Sequence, residues 1–189
     1  MKTLSTMALA ACMALLSQNA TAQNADPKEK TVTVGGVPMY PSKNIIENAV
    51  NSREHTTLVA AVKAAGLVET LQGPGPFTVF APTNSAFDKL PQGTVDNLLK
   101  PENKDMLGGI LTYHVVSGRL DSKELKAMMD KNNGKAELRT VQGGVLTASM
   151  KNGKLIITDE KGGTALVSTK DVYQSNGVIH VTDAVSMHK

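Results

Sequence analysis

The stretch Gly75–Phe87, GPFTVFAPTNSAF, decides the reading of this chain. Its segment Phe77–Phe80 is apolar or β-branched on both faces, the pattern of a short internal strand and not of a half-exposed one. Pro82 stops that strand, Thr83 can accept hydrogen bonds from the amides of the next helical turn, and Phe87 points back toward a core. The chain holds three Phe, three Tyr and no Trp. All three phenylalanines, Phe77, Phe80 and Phe87, fall here, which marks the strand-to-helix turn as a packing centre.

Upstream the pattern is helical. Ser42 can cap KNIIENAV, and Thr56 or Thr57 can cap LVAAVKAA, which ends at Gly66 where a left-handed residue is wanted. GPGP, Gly73–Pro76, is a turn. Downstream, TVDNLL and PENKDMLGGIL read as helices, with Pro101 suited to a first helical position. Met106, Leu107, Ile110 and Leu111 form the apolar face of the second. Asp121 and Glu124 make an acidic variant of the capping box ahead of LKAMM.

The second half changes period. AELRTV, VLTASM, KLIIT, ALVSTKDVY and VIHVTDAV are β-type runs separated by QGG, KNG, DEKGG and SNG, all hairpin-type turns. Helices first and a meander later predict an α+β fold.

The ends set the context. Lys2, the apolar run MALAACMALL and the small-x-small site Ala20-Thr21-Ala22 form a signal-peptide pattern, with cleavage expected after Ala22. LAAC, Leu9–Cys12, resembles a lipoprotein box, but the apolar run continues past Cys12 into MALLS, so a lipid anchor is the weaker reading. Residues 23–41 are a polar lead-in followed by an extended arm, TVTVGGVPMYP, and residues 42–189 form one domain. Cys12 is the only cysteine, so the mature chain builds no disulfide framework and depends on a core. Without Lys2 the 20 basic residues become 19 against 17 acidic, a net of +2, and the charges alternate along the chain. That excludes the basic stripe of a nucleic-acid binder and a polybasic membrane patch. No segment beyond the leader is apolar enough to span a bilayer.

Three segments, GPFTVFAPTNSAF, YHVVSG and NGVIHVTDAV, resemble in order and spacing the conserved segments of a fasciclin (FAS1) domain. The resemblance covers essentially everything from Ser42 onward. It implies a β-sandwich or wedge of short, mainly antiparallel strands carrying a layer of helices from the first half. It also implies an extracellular adhesion or matrix-binding module that is not an enzyme and needs no cofactor. In animal members a Tyr-His pair flanked by branched apolar residues is linked to integrin binding; here it is Tyr113-His114. A second adhesion motif ends in Asp-Ile, five residues ahead of the Asn-Gly turn; here Asp171-Val172 stands ahead of Asn176-Gly177. Asp171, Val172, Tyr113 and His114 are therefore the candidate partner-binding residues. The partner expected is a cell-surface or matrix protein or a polysaccharide; the oligomeric state is open, with a monomer favoured.

The same residues have plainer roles. His114 reads as a buried imidazole, one nitrogen donating and one accepting, tied to the turn at Thr83 and Asn84. Asn176-Gly177 reads as a tight turn with a positive φ, and His180 as a core or half-core residue of a strand. A hydrolase would need a nucleophile beside His114, and no G-x-S-x-G elbow is present. The four histidines, His55, His114, His180 and His188, show no metal-ligand spacing. Besides the adhesion module, one further function fits: an extracellular carrier of a small apolar ligand or a polysaccharide fragment, held between helices and sheet.

Overall fold

The structure, a computed structural model, describes residues 29–189. The expected leader and Cys12 lie outside them. Strand β3 (Phe77–Pro82) lies between β4 (Val115–Ser117), antiparallel to it, and β9 (Gly177–Thr182), parallel to it. Being internal, it buries its last five residues, so both of its faces are apolar. The sheet continues from β9 through β8 (Thr164–Gln174), β7 (Lys154–Thr158), β6 (Val145–Lys151) and β5 (Lys135–Arg139), all antiparallel. Its two edges then meet. Val116 bridges Thr140, and the Val141 amide donates to the Val115 carbonyl at 2.7 Å, so the seven strands curl nearly into a barrel.

This curl divides the interior in two. Leu138, Leu146 and Ile157 fill the inside of the sheet with Phe80, and Leu125 and Met129 of α7 (Ser122–Lys131) cover its open side. The opposite face of β3 and β9 presents Val79, Ala81, Ile179 and Val181 to a helical layer. That layer contains α1 (Ile45–Ala49), α2 (Thr56–Ala65), α3 (Val68–Gln72), α4 (Asn84–Asp88), α5 (Thr94–Leu98) and α6 (Lys104–Tyr113). Pro101 opens a short 3-10 turn ahead of α6. The architecture is the expected α+β wedge.

Several local expectations are corrected. The segment read as an extended arm is a hairpin, β1 (Val32–Val34) and β2 (Val37–Met39), turned by Gly35 and Gly36 at φ 60° and 78°. It buries Val34 and Met39 against the helical core. Asn44, not Ser42, caps α1, in a full capping box with Glu47. Ser42 instead donates its hydroxyl to Glu29 at 2.9 Å. Neither Thr56 nor Thr57 caps α2 from within, and the Thr83 side chain accepts no amide from α4. Gly66 does end α2 in the left-handed region, at φ 72°. Met106 is 59% exposed; Leu107, Ile110, Leu111 and Tyr113 make the buried face of α6.

Asn176-Gly177 is also corrected, because neither residue has a positive φ. Glycine is needed for another reason: a Cβ on Gly177 would collide with the Phe77 carbonyl at the start of the parallel pair. Gly177→Ala should therefore lower stability by about 2 kcal/mol through overpacking. Gly108, inside α6 with open space around it, is the comparison. Gly108→Ala should raise stability by about 0.5–1 kcal/mol. Thermal or urea melts of the two variants check both signs.

Candidate functional site

Tyr113 closes α6, and His114 is its C-cap. The last carbonyls of a helix lack intrahelical partners. His114 supplies one, since its Nδ1 lies 2.8 Å from the Ile110 carbonyl. Its Nε2 accepts the Ser186 amide at 2.9 Å. A carbonyl can only accept and an amide only donate, so the ring is neutral with the proton on Nδ1. His114 is 3% exposed, and burial lowers its proton affinity, partly offset by the Ile110 carbonyl and Asp159. The turn at Thr83 and Asn84 is not its partner; the C-terminal segment is.

Tyr113 is fully buried. Its hydroxyl donates to the Val145 carbonyl at 2.8 Å and accepts the Glu160 amide at 3.1 Å. Burial raises its pKa. The same turn that holds Tyr113 also holds the chain end. Asp159 accepts the Met187 amide at 2.9 Å, and Glu160 accepts the Lys189 amide at 3.3 Å. Residues 183–189 thus form a strap laced to α6 and to the Asp159–Gly163 turn, though they contain no helix or strand.

Asp171 lies in β8, not beside a turn. There the register with β9 shifts between Thr169 and Val172, and Asp171 takes φ 60°. This bulge aims its amide at His180 Nδ1, 3.3 Å away, while its carboxylate faces α7. The two carboxylate oxygens accept the Ser122 amide at 2.6 Å and the Ser122 hydroxyl at 2.5 Å. Asp121, the N-cap, accepts the Lys123 and Glu124 amides, so two acids share the start of α7. His180, fully buried, sends Nε2 to the Leu120 carbonyl at 2.8 Å and stacks on Phe80 at 5.6 Å between centroids. Val172 is 1% exposed.

The candidate partner-binding residues lie within the interior or at its edge. Tyr113, His114 and Val172 are interior, and Asp171 is half-buried with both oxygens engaged. The motif residues are staples. Asn84 accepts the Thr57 amide at 3.0 Å and donates to the Arg53 carbonyl at 3.0 Å, so it caps α2 from another helix. Asn176 accepts the Ile45 amide at 3.0 Å and donates to the Leu71 and Gly73 carbonyls at 2.8 and 2.9 Å. It ties the start of α1 to the end of α3. The Thr83 side chain contributes only a 2.9 Å hydroxyl contact with Ser85.

Sequence reasoning missed Ser122, Asp159, Glu160, Ser186 and His55. The one readable signal was Asp159 ahead of Gly162-Gly163, an Asx-turn pattern. His55 is 3% exposed and joins Ser52 through Nδ1 at 2.8 Å, while its Nε2 has no hydrogen-bond partner. Burial lowers its proton affinity as well, and that of His180. None of these three imidazoles faces solvent, where a general base would meet substrate. Among the described residues no cluster of three His, Cys, Asp or Glu side chains could hold a metal. Among them too, no helix is long and apolar enough to cross a membrane.

Known proteins place this arrangement. The Fasciclin domain family model matches residues 53–188. Protein sll1483 of Synechocystis sp. is 46% identical over 157 residues, which span 83% of this chain and 80% of that protein. Transforming growth factor-beta-induced protein ig-h3 of Sus scrofa is 35% identical over 145 residues, 77% of this chain but 19% of that protein. Among solved structures, a FAS1 domain pair from the insect cell adhesion molecule fasciclin I superposes with a TM-score of 0.71 at 18% identity. The match covers 78% of this chain and 52% of that one, and at such identity it speaks for the fold alone.

Two outcomes follow from the staples. His114→Ala should cost about 3 kcal/mol, from the cavity and the two backbone groups left unpaired, read as a lower melting temperature. The buried imidazoles also set a pH dependence. Once unfolded they charge near ~6.5, whereas the fold keeps them neutral. Protons thus favour the unfolded chain, and this stabilisation is full above that pH and is lost as pH falls below it. The melting temperature should fall between about pH 7 and pH 5, ahead of most carboxylate titration. A flat profile there would contradict the assignment of three neutral imidazoles.

Proposed function

The chain belongs to the fasciclin domain family, and on that premise we propose that it is an extracellular adhesion or matrix-interaction module. It acts by surface binding, without chemical turnover. The observation that carries this reading is the use of the motif side chains. Tyr113, His114 and His180 have their polar atoms taken up by backbone groups inside the fold, so their chemistry serves its shape. The partner is a cell-surface or matrix protein or a polysaccharide, engaged by a monomer.

The reading as a carrier of a small apolar ligand finds less support. The apolar cavity under the helices, lined by Val34, Leu58, Val62 and Ile179, holds about 50 Å³. Sites for small ligands usually measure ~300–1,000 Å³. A volume of 50 Å³ is too small for a lipid.

The proposal includes export. Residues 1–22 act as a signal cut after Ala22, the domain takes in the hairpin at 32–39, and the protein is released instead of being anchored at Cys12. The test is retention of cells and matrix polymers on the immobilised protein. Tyr113→Phe should melt lower, by about 1–2 kcal/mol for the lost hydroxyl contacts. It should nevertheless retain cells as well as the parent while folded. Failure of the parent to retain any cell or polymer would overturn the adhesion reading. Loss of retention in folded Tyr113→Phe would return the binding surface to the Tyr-His pair.

A further inference from the structure

We propose that the open groove between α7 and strands β6, β7 and β8 is a binding site for an acidic polysaccharide, a carboxylate-bearing polymer of the uronic-acid type. This deepens the adhesion reading and rests on it. The groove measures about 600 Å³, room for several sugar units. Lys123 and Lys126 line one wall from α7, and Lys154 and Lys170 line the other from β7 and β8. All four are exposed. Asp130 is the single acid on the lining, and it is paired with Lys126 at 2.7 Å. That pair is open to water, so an incoming carboxylate can replace it at little cost. Lys123, Lys154 and Lys170 have no ion-pair partner among the described residues.

The type of cation and the floor select the ligand. The lining contains no arginine, whose planar fork would recognise one phosphate or carboxylate in a fixed geometry. Lysines are mobile, hydrated point charges, suited to anionic groups repeated along a flexible polymer. A protein partner would seek a pocket for an aromatic anchor. The floor residues Met129 and Leu155 are 3% and 6% exposed, so they offer no such pocket. The half-exposed Met150 beside them supplies a soft apolar edge for the C–H face of a sugar ring. Lys123 and Lys126 are one turn apart on α7, whereas Lys154 and Lys170 come from separate strands. The curl of the sheet toward α7 brings the four together, and this is why the charges alternate without clustering in the sequence.

The experiment compares retention of the protein on immobilised polygalacturonate, neutral dextran and poly-glutamate, at low and high salt. A second surface of cells and native matrix is scored in parallel. One variant carries Lys123→Gln, Lys126→Gln, Lys154→Gln and Lys170→Gln. A control carries Lys63→Gln, Lys100→Gln, Lys104→Gln and Lys161→Gln, an equal loss of charge away from the groove. Both are checked by thermal melting. The expected result is salt-sensitive binding to polygalacturonate over dextran and poly-glutamate. The groove variant should weaken it roughly tenfold or more, the sum of four modest exposed contacts, and the control should weaken it less than about twofold. Equal losses in the two variants, no binding to polygalacturonate, or equal binding to poly-glutamate would each overturn the proposal. If the groove variant still holds cells like the parent, adhesion stands and the groove falls. If the parent binds polygalacturonate through the groove yet holds neither cells nor matrix, the site stands and the adhesion reading falls.

Discussion

The parallel pairing of β3 with β9 is the constraint on which the rest of the structure depends. It sets Phe77 beside Gly177 and Pro82 beside Thr182, residues a hundred positions apart. The last strand of the chain is thus an interior strand, and both cores share it. Val79 and Ile179 serve the helical side, Phe80 and His180 the inside of the curled sheet. Parallel neighbours need a long crossover, and here it comprises most of the domain, so long-range contacts must form before either core closes. The approach at the start of the pair is close enough that Gly177 cannot carry a side chain.

Bringing the chain end inside leaves polar backbone to satisfy, and each buried group left unpaired would cost about 1–3 kcal/mol. The motif residues answer that need. His114 joins the end of α6 to Ser186 just beyond β9, and His180 joins β9 itself to Leu120 and to the β8 bulge. Asp171, at the bulge, caps α7 and so fixes the lid on the second core. Asn84 caps α2, which has no side-chain cap of its own, and Asn176 adds a further bond at the start of α1 beside the Asn44 cap. The signature that resembles an adhesion motif is in this chain a set of clamps around one strand pair.

The fold was legible because periodicity and turn chemistry are local. FTVF read as internal, the five later β runs and their turns appear as β5–β9, and Gly66 ends α2 as its position demands. Asp121 likewise caps α7 through neighbours two and three residues away. The site was much less legible. Thr83 was expected to cap its own helix, but the side chain with the decisive contacts is Asn84, and its partners lie 27 and 31 residues upstream. Asn176 reaches Ile45 across 131 residues, and His114 reaches Ser186 across 72. The bulge at Asp171 was not legible, because nothing in KDVYQ announces it. The strand register with β9 creates it. Hydrogen bonds of this range are set by topology, and single-sequence patterning carries no topology.

The central claim is that Tyr113-His114 belongs to the scaffold and not to a contact surface. The most direct measurement is the imidazole ¹⁵N NMR spectrum of His114 as pH is lowered in the folded protein. The structure predicts a neutral ring with a protonated Nδ1 and a bare Nε2 that persists well below its ordinary pKa of ~6.5, until the protein unfolds. A ring that titrates freely near 6.5 in the folded state, or one that carries its proton on Nε2, would contradict the account.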